Sequence, residues 1–446
     1  MHSRVVIGAP ASGSGKTTFT CGLLMALKRR GIDVSSFKCG PDYIDPMFHR
    51  QIIGSESGNL DLFFATEEQA RSIFCRKARE FSVIEGAMGF YDGIGGTTEA
   101  SAYHLARALE APVLLVMNPR GMAMSAAAVV KGMAALRKDS RIKGVVLNGC
   151  TQAAGAMVKR AIEEECGIFV YGTLPKLPEC ALESRHLGLV TAMEVEDLQK
   201  KVELLGRAVE ENVDIDGILA LGREAPALQA EPAGQTNQKE RAVIAVAKDK
   251  AFCFYYEENL ALLEECGCRL VDFSPLEDKA LPQGTAGLYL GGGYPELYAE
   301  ALSRNEAMRR SIQAAAKAGM PIVGECGGFL YLSQKLDGWP MVGVLPGSCR
   351  NTGRLGRFGY IEVFPKRNTV FLRKGESIKA HEFHYWDSDQ SGDACRAAKP
   401  VGGAAWDCVQ TCYNVWAGFP HLYFRSNPNF AERFVEMAER YADEKL

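Results

Sequence analysis

The sequence predicts an α/β protein with two domains, each built on a parallel sheet that helices cover on both faces. Three observations predict this architecture. The chain has 446 residues, more than the roughly 100–200 residues of one ordinary domain. Short β-branched runs alternate with helical patterns, as in parallel sheets buried on both faces. The segment 223–240 interrupts this alternation and therefore predicts one domain at 1–222 and another at 241–446.

The first predicted domain contains six strands. Each is a short apolar run that ends near Gly, Pro or Asn and precedes a helical pattern. These runs are Val5–Ile7, Val34–Phe37, Phe81–Ile84, Val113–Met117, Val145–Leu147 and Ile168–Tyr171. Helical periodicity then continues from Val195 to Leu221.

The segment 223–240 predicts a linker, because it is rich in Ala, Pro, Gln, Glu and Asn and follows neither the helical nor the strand period. Strands and helices alternate again after it. The predicted strands of the second domain are Ala242–Ala247, Arg269–Phe273, Gly287–Leu290 and Pro321–Val323.

Charge and cysteine usage exclude several classes of protein. Lys+Arg number 51 and Asp+Glu 54, a net charge of −3, so no global positive field attracts nucleic acid or an anionic membrane. The apolar stretch 122–136 contains Lys131 and is too short to span a bilayer. The 14 cysteines lack zinc-ribbon spacing and predict mostly buried, reduced thiols. The N-terminal strand leaves no room for a signal peptide, so we expect a cytoplasmic protein.

A glycine-rich turn after the first predicted strand indicates phosphate binding. A helix follows the turn, so backbone N–H groups and the helix N-terminus face one point. Lys16 is expected at the β- and γ-phosphates of ATP and Thr17 at Mg²⁺. Pro10 stands where the usual motif has glycine, so the loop is a variant; the alternative is a structural turn with an incidental lysine. The predicted ATP-binding residues here are Gly13, Ser14, Gly15, Lys16, Thr17 and Thr18.

This loop resembles that of the dethiobiotin synthetase and MinD-like group of P-loop proteins. With the segments 38–49 and 85–93, the first domain resembles the synthetase half of the cobyrinate a,c-diamide synthase family. Asp45 follows the second predicted strand and Glu85 the third, and ligands bind at such strand ends in an open α/β sheet. Both carboxylates are therefore expected to hold Mg²⁺ with Thr17. The alternative for each is a solvated loop carboxylate or a helix cap.

The resemblance implies further binding residues in the first domain. Asn148, at the end of a predicted strand, is expected to contact adenine; a turn-forming asparagine is the alternative. Arg185 and His186 lie in a family-like segment and would meet substrate carboxylates or phosphate, unless they cap a helix. The remaining substrate candidates in this domain are Asp42, Tyr43 and Asp92.

A second glycine-rich turn carries a candidate nucleophile. Cys326 lies in a Gly-x-Cys-x-Gly turn between a strand and a helix, the thiol counterpart of a nucleophile elbow. The helix, predicted at 329–335, is expected to lower the thiol pKa. Backbone N–H groups of Gly292, Gly293 and Gly327 are expected to form an oxyanion hole. An inert buried thiol is the alternative.

His421 follows later in the chain, an order that resembles the triad-type glutamine amidotransferases. The resemblance implies that Cys326 attacks glutamine while His421 moves the proton; a structural histidine is the alternative. Those enzymes usually carry Glu two residues after the histidine, where this chain has Tyr423. The cobyrinate and cobyric acid synthase branch also lacks that Glu. The third group that orients His421 is left unidentified.

A short segment with two more histidines competes for a role. Strand alternation places His381 and Phe383 on one face and Glu382 and His384 on the other. By resemblance, His384 is assigned to substrate or channel contacts. A surface strand is the alternative.

The resemblance covers nearly the whole chain and implies one overall reaction. The second domain would release ammonia from glutamine, and the ammonia would pass inside the protein to the first domain. There MgATP would phosphorylate substrate carboxylates, and ammonia would displace phosphate. The substrates implied are ATP, glutamine and the corrinoid cobyrinate, amidated on its a and c acetates in cobalamin biosynthesis.

Several alternatives stay open. Hydrogenobyrinate and nickel sirohydrochlorin present the same acetates, and cobyric acid synthase amidates other side chains but fits the segment 40–46 less well. A P-loop ATPase switch with an inactive glutaminase-like module is the alternative from another class. The order of the two amidations, the ammonia path and whether the chain forms a homodimer are left open.

Overall fold

A computed structural model describes residues 2–180, 198–229 and 240–445. The chain divides into two compact units, Met1–Ala233 and Gly234–Leu446. The candidate substrate residues Arg185 and His186 lie outside the described residues. In the described part of the chain, no helix is long and apolar enough to cross a membrane.

The first unit contains a seven-stranded sheet in the order β3-β2-β4-β1-β5-β6-β7. All of its strand pairs are parallel. The strands are β1 (Ser3–Gly8), β2 (Val34–Cys39), β3 (Glu56–Leu60), β4 (Phe81–Glu85), β5 (Val113–Met117), β6 (Ile142–Asn148) and β7 (Phe169–Leu174). A strand is present at each of the six predicted positions.

Helices cover both faces of this sheet, as predicted. They are α1 (Lys16–Arg29), α2 (Ile44–Phe48), α3 (Glu67–Lys77), α4 (Ala102–Ala108), α5 (Met124–Ala135), α6 (Gln152–Cys166), α7 (Leu198–Asn212) and α8 (Ile215–Arg223). Val6 of β1 packs in one core with α3–α6, whereas its neighbours Val5 and Ile7 pack in the other with α1, α7 and α8. Alternate residues of one strand therefore reach both helical layers.

Strand β3 is absent from the prediction. Its sequence, Glu-Ser-Gly-Asn-Leu, has one large apolar residue and no β-branched residue, so it lacks the signal that marks the other strands. It pairs only with β2, at the edge of the sheet. Because β3 was not predicted, Glu85 was expected to follow the third strand of the chain. It is the last residue of the fourth strand, β4.

The helical patterns predicted over 195–221 form two helices in the described residues. The helix α7 ends at Asn212, and α8 begins at Ile215. Asp214 lies between them and accepts a hydrogen bond from Gly217 N at 2.9 Å, which caps α8. The break follows from this cap, since Asp is favoured at helix starts and disfavoured inside helices.

The second unit is built on a six-stranded sheet in the order β20-β21-β11-β10-β8-β9. Strand β20 is antiparallel to its neighbour, and the other pairs are parallel. These strands are β8 (Ala242–Ala247), β9 (Cys268–Phe273), β10 (Gly287–Leu290), β11 (Ile322–Glu325), β20 (Gln410–Cys412) and β21 (Val415–Gly418). The four predicted strands are all in this sheet.

Two smaller sheets complete the second unit, in the orders β13-β12-β14-β17 and β19-β18-β15-β16-β22. Their strands are β12 (Lys335–Leu336), β13 (Trp339–Pro340), β14 (Ser348–Asn351), β15 (Phe358–Pro365), β16 (Ile378–Phe383), β17 (Trp386–Ser388), β18 (Cys395–Ala398), β19 (Ala405–Cys408) and β22 (His421–Leu422). The helices of the unit are α9 (Glu257–Glu265), α10 (Ala299–Arg304), α11 (Glu306–Lys317), α12 (Gly327–Leu332) and α13 (Pro428–Asp443).

All 14 cysteines are free thiols. Eight of them are buried: Cys21, Cys39, Cys180, Cys268, Cys326, Cys349, Cys395 and Cys408. The prediction of mostly buried, reduced cysteines is confirmed.

Candidate active sites

The glycine-rich turn of the first unit connects β1 to α1. Gly13 and Gly15 have φ values of 76° and 94°, a region that glycine adopts without strain. Asn148, the last residue of β6, donates from Nδ2 to Ser14 O at 3.1 Å. A Cβ on Gly15 would lie 1.9 Å from that same Nδ2. Asn148 therefore braces the turn, a role that the sequence did not reveal.

Lys16 extends from the start of α1 across the end of β4. Its Nζ donates to Met88 O at 2.5 Å, in the loop that follows β4. Burial, with a contribution from Lys38, lowers the pKa of Lys16. Anionic phosphate oxygens would relieve both effects, so this cation is suited to bind them.

The predicted metal ligands Thr17, Asp45 and Glu85 meet around a lysine that the prediction missed. Thr17 Oγ1 donates to Glu85 Oε1 at 2.6 Å. Lys38 Nζ, from β2, lies 2.7 Å from the same oxygen and also pairs with Asp45. Burial acts to lower the pKa of Lys38, but the two carboxylates outweigh it and raise that pKa well above its usual value. Burial raises the pKa of Glu85.

These residues fit a hard divalent cation. Glu85 Oε2 is buried and has no hydrogen-bond partner among the described residues, and carboxylate and hydroxyl oxygens are the donors that Mg²⁺ prefers. Within 2–180, 198–229 and 240–445, no group of three or more His, Cys, Asp or Glu side chains forms a metal-binding set. Further ligands to Mg²⁺ would therefore come from ATP phosphates and water.

The three other substrate candidates of this unit lie next to the same site. Asp42 accepts hydrogen bonds at Oδ1 from Ile44 N at 2.8 Å and Asp45 N at 3.2 Å. Burial, with Asp45, raises the pKa of Asp42 to about 7. Asp92 accepts from Gly89 N at 3.0 Å, and Tyr43 is buried. Both aspartates thus shape the loops that present Asp45 and hold Lys16.

In the second unit, Cys326 forms the predicted sharp turn between β11 and α12. Its φ and ψ are 47° and −99°, a conformation rare for a residue with a side chain. Its N–H donates to Gly418 O at 2.7 Å. A Cβ on Gly328 would lie 2.1 Å from Leu290 O, so this position needs glycine. This helix was predicted to end at Lys335. It ends at Leu332, because Lys335 is the first residue of strand β12.

The predicted lowering of the Cys326 pKa is wrong. Burial raises the pKa of this thiol, and Glu296 and Glu382 raise it further. The N–H of Gly327 acts in the opposite direction but does not compensate. The helix has six residues, too few to offset full burial. Ionisation of Cys326 therefore needs a base that accepts its proton.

His421 provides a neutral imidazole of this kind. It opens β22 and lies opposite His381 of β16. Burial, then His381 and His384, lowers the pKa of His421 to about 3, so its ring is uncharged at neutral pH. Strand β21, which precedes His421 in the chain, pairs with β11, which precedes Cys326.

The three predicted oxyanion-hole glycines occupy two different positions. A Cβ on Gly327 would lie 3.1 Å from Gly293 N, so these two backbones are adjacent at the elbow. Gly292 instead packs on the base, because a Cβ there would lie 2.4 Å from His421 Cε1. The geometry favours Gly293 and Gly327 as oxyanion donors and Gly292 as space for the imidazole.

If the site hydrolyses glutamine, as the resemblance of the sequence implies, we expect Gly292→Ala to lower kcat for that reaction about a hundredfold, since displacing a catalytic group by an ångström costs about that much. Glutamate release by the purified variant measures this effect. Gly132→Ala is the control, because a Cβ there meets nothing within 4 Å. An unchanged rate in Gly292→Ala would show that His421 does not need this space.

The segment 381–384 is buried, so the surface-strand alternative is wrong. His381, Glu382 and His384 are 8%, 0% and 5% exposed. Phe358 contacts the rings of both His381 and Phe383, whereas His384 Nε2 lies 2.8 Å from Glu382 Oε1. The predicted alternation is confirmed.

His384 belongs to the surroundings of Cys326 and His421. It affects the pKa of His421, and its partner Glu382 affects that of Cys326. Sequence reasoning missed Arg357, whose Nη1 lies 3.5 Å from Glu382 Oε1 and whose guanidinium lies 5.2 Å from the Trp406 ring centroid. No motif or spacing in the sequence marks Arg357.

Both units match known protein families. Residues 5–190 match the CobQ/CobB/MinD/ParA nucleotide binding domain, and residues 243–429 match the CobB/CobQ-like glutamine amidotransferase domain. These matches confirm the predicted fold class: a P-loop parallel-sheet domain followed by a glutamine amidotransferase α/β domain.

Relatives match over nearly the whole chain. A cobyrinate a,c-diamide synthase of Caldanaerobacter subterraneus subsp. tengcongensis is 39% identical, covering 98% of each chain. One of Listeria monocytogenes is 40% identical, covering 95% of this chain and 97% of the relative. One of Methanothermobacter thermautotrophicus is 38% identical, covering 98% and 99%. This chain therefore belongs to the cobyrinate a,c-diamide synthase family and is a glutamine-dependent ligase.

Proposed function

We propose that the chain uses ATP and glutamine to convert the a and c acetate carboxylates of cobyrinate into amides. One observation carries the proposal: proteins named for this reaction match the chain over 95–98% of its length. We assign amide formation to residues 1–222 and glutamine hydrolysis to residues 241–446. The buried sites around Lys38 and Cys326 support this division.

At the second site, Cys326 Sγ gives its proton to His421 and attacks the side-chain amide carbon of glutamine. The N–H groups of Gly293 and Gly327 stabilise the resulting oxyanion. His421 returns the proton to the departing nitrogen, and ammonia leaves a thioester behind. Water then attacks the thioester, with His421 as the base, and releases glutamate and the free thiol.

At the first site, an oxygen of the substrate carboxylate attacks the γ-phosphorus of ATP, and ADP leaves. The turn 13–18 and Lys16 hold the phosphates, while Thr17, Asp45 and Glu85 would hold Mg²⁺. Bound there with ATP, Mg²⁺ neutralises phosphate charge. Ammonia then attacks the carbonyl carbon of the acyl phosphate. Inorganic phosphate leaves and carries away one oxygen of the original carboxylate.

Further assignments rest on position. We propose that Asn148 contacts adenine from the end of β6 and that Asp42, Tyr43 and Asp92 line the substrate side of the first site. We place His384 with the glutamine site. We also propose that ammonia travels without release to bulk water, where protonation would remove its nucleophilic lone pair.

A substrate panel tests the proposal. The purified chain is incubated with MgATP and glutamine and with cobyrinate, hydrogenobyrinate, nickel sirohydrochlorin or cobyrinate a,c-diamide, and products are measured by mass spectrometry. We expect two new amides on cobyrinate and one ADP for each. If another compound of the panel were amidated and cobyrinate were not, the substrate assignment would change. ATP hydrolysis without amide formation from any member would favour an ATPase switch.

A further inference from the structure

We propose that Glu325 is a positioning residue for the glutaminase, holding His421 beside Cys326 through the backbone of Leu422. This inference rests on the proposed glutamine hydrolysis and adds a residue to it. It assigns the orienting role that the sequence left open, because Tyr423 stands where related triads carry a carboxylate.

Glu325 connects the two catalytic segments directly. It is the last residue of β11, immediately before Cys326, and is 1% exposed. Its Oε1 accepts a hydrogen bond from Leu422 N at 3.1 Å, and Leu422 follows His421. A single side chain therefore ties the elbow that presents the thiol to the strand that presents the base.

Two further buried residues complete this connection. Tyr289 Oη donates to Glu325 Oε2 at 3.0 Å. Asn259 Nδ2 donates to Leu422 O at 2.8 Å, and Asn259 Oδ1 accepts from Phe424 N at 2.8 Å. We call Asn259, Tyr289 and Glu325 the polar clamp; it holds both the N–H and the C=O of Leu422.

The residues of the polar clamp are buried, and burial of polar groups lowers stability unless they find partners. Asn259 and Tyr289 are 0% exposed, and a buried polar group is destabilising unless it is hydrogen-bonded. A carboxyl group with one oxygen on Leu422 N and the other on Tyr289 Oη satisfies both of its acceptors. Burial raises the pKa of Glu325 to about 8, against opposing effects of Leu422 N–H and Tyr289.

Substitutions of Glu325 can separate the effect of its side-chain length from the effect of its acidic group. Glutamine keeps the length of Glu325, accepts from Leu422 N and donates to Tyr289 Oη. Aspartate keeps the acid but is one methylene shorter, so it loses the contact with Leu422. If backbone positioning is the role of Glu325, Glu325→Gln is nearly active and Glu325→Asp is impaired.

We expect Glu325→Asp to lower kcat for glutamine hydrolysis about a hundredfold with little change in KM, as a displaced base affects the chemical step more than binding. Glu325→Gln is expected within about threefold of wild type on the same basis. Amidation driven by added ammonium should be unchanged in both, which reports an intact first site.

The opposite ranking, with aspartate active and glutamine inactive, would overturn the proposal in favour of an acid role. Equal activity of both variants and wild type would overturn it as well. Tyr289→Phe gives an independent test: loss of the Tyr289 hydroxyl should lower kcat in the same direction, and no change would contradict the clamp. Failure of the wild-type chain to hydrolyse glutamine would instead refute the proposed function itself.

Discussion

Replacing Cys326 by serine is expected to abolish glutamine-dependent amidation while leaving ammonium-dependent amidation at the wild-type rate. Serine keeps the shape of the elbow but offers a much weaker nucleophile, so we expect a loss of about 10³-fold or more. Amide products are quantified by mass spectrometry with glutamine or with ammonium chloride as the nitrogen source.

Cys412→Ser provides the matched control, because Cys412 is a half-buried free thiol of β20 in the same unit. It should keep both activities. If Cys326→Ser lost ammonium-dependent amidation too, the separation of the two reactions between the two units would be wrong.

Replacing Lys16 by alanine, or Glu85 by glutamine, is expected to remove amidation with either nitrogen source. In the proposed mechanism Lys16 supplies the cation for ATP phosphates, and Glu85 is a buried carboxylate beside Thr17 and Lys38. Removing one such electrostatic group from a catalytic site costs about 10²–10³-fold. Amide formation from added ammonium measures this loss directly.

Labelling of Cys326 by an electrophilic glutamine analogue should continue in both variants, because the thiol lies in the other unit. Lys131→Ala is the control for removing a positive charge, since this side chain is 61% exposed on α5. Wild-type amidation in Lys16→Ala or Glu85→Gln would refute the phosphate and metal assignment, whereas loss of labelling would point to misfolding.

The sequence predicted most strands of the two parallel sheets from their apolar runs but missed the polar β3 and the four-residue apolar β21. Runs such as Val113–Met117 are apolar throughout because both of their faces are buried. Strand β3 is polar and lies at an edge, where fewer apolar contacts are available. Most of the short strands between 335 and 422 depend on neighbours distant in sequence; alternation over 381–384 is the local pattern that did indicate one of them, β16.

The structure brings predicted site residues together where one motif holds them. The two glycine-rich turns each bring their residues together within a few positions, at Lys16 and at Cys326. Site prediction failed where a contact joins separate strands, as for Lys38 between Asp45 and Glu85 and for Glu325 at Leu422. The predicted direction of the Cys326 pKa shift was wrong because burial, and then Glu296 and Glu382, raise that pKa only in the folded chain.

The polar composition of β3 also affects how the edge of the first sheet can pair with another strand. An open sheet edge exposes backbone groups on which another chain can template a strand, and proteins disfavour this with charges, irregular residues and covering side chains. Glu56 and Gly58 make β3 a poor template, and Arg50 Nη1 donates to Ser57 O at 3.3 Å, which occupies an edge carbonyl. The features that hid this strand from sequence reasoning thus make that edge a poor site for pairing with another strand.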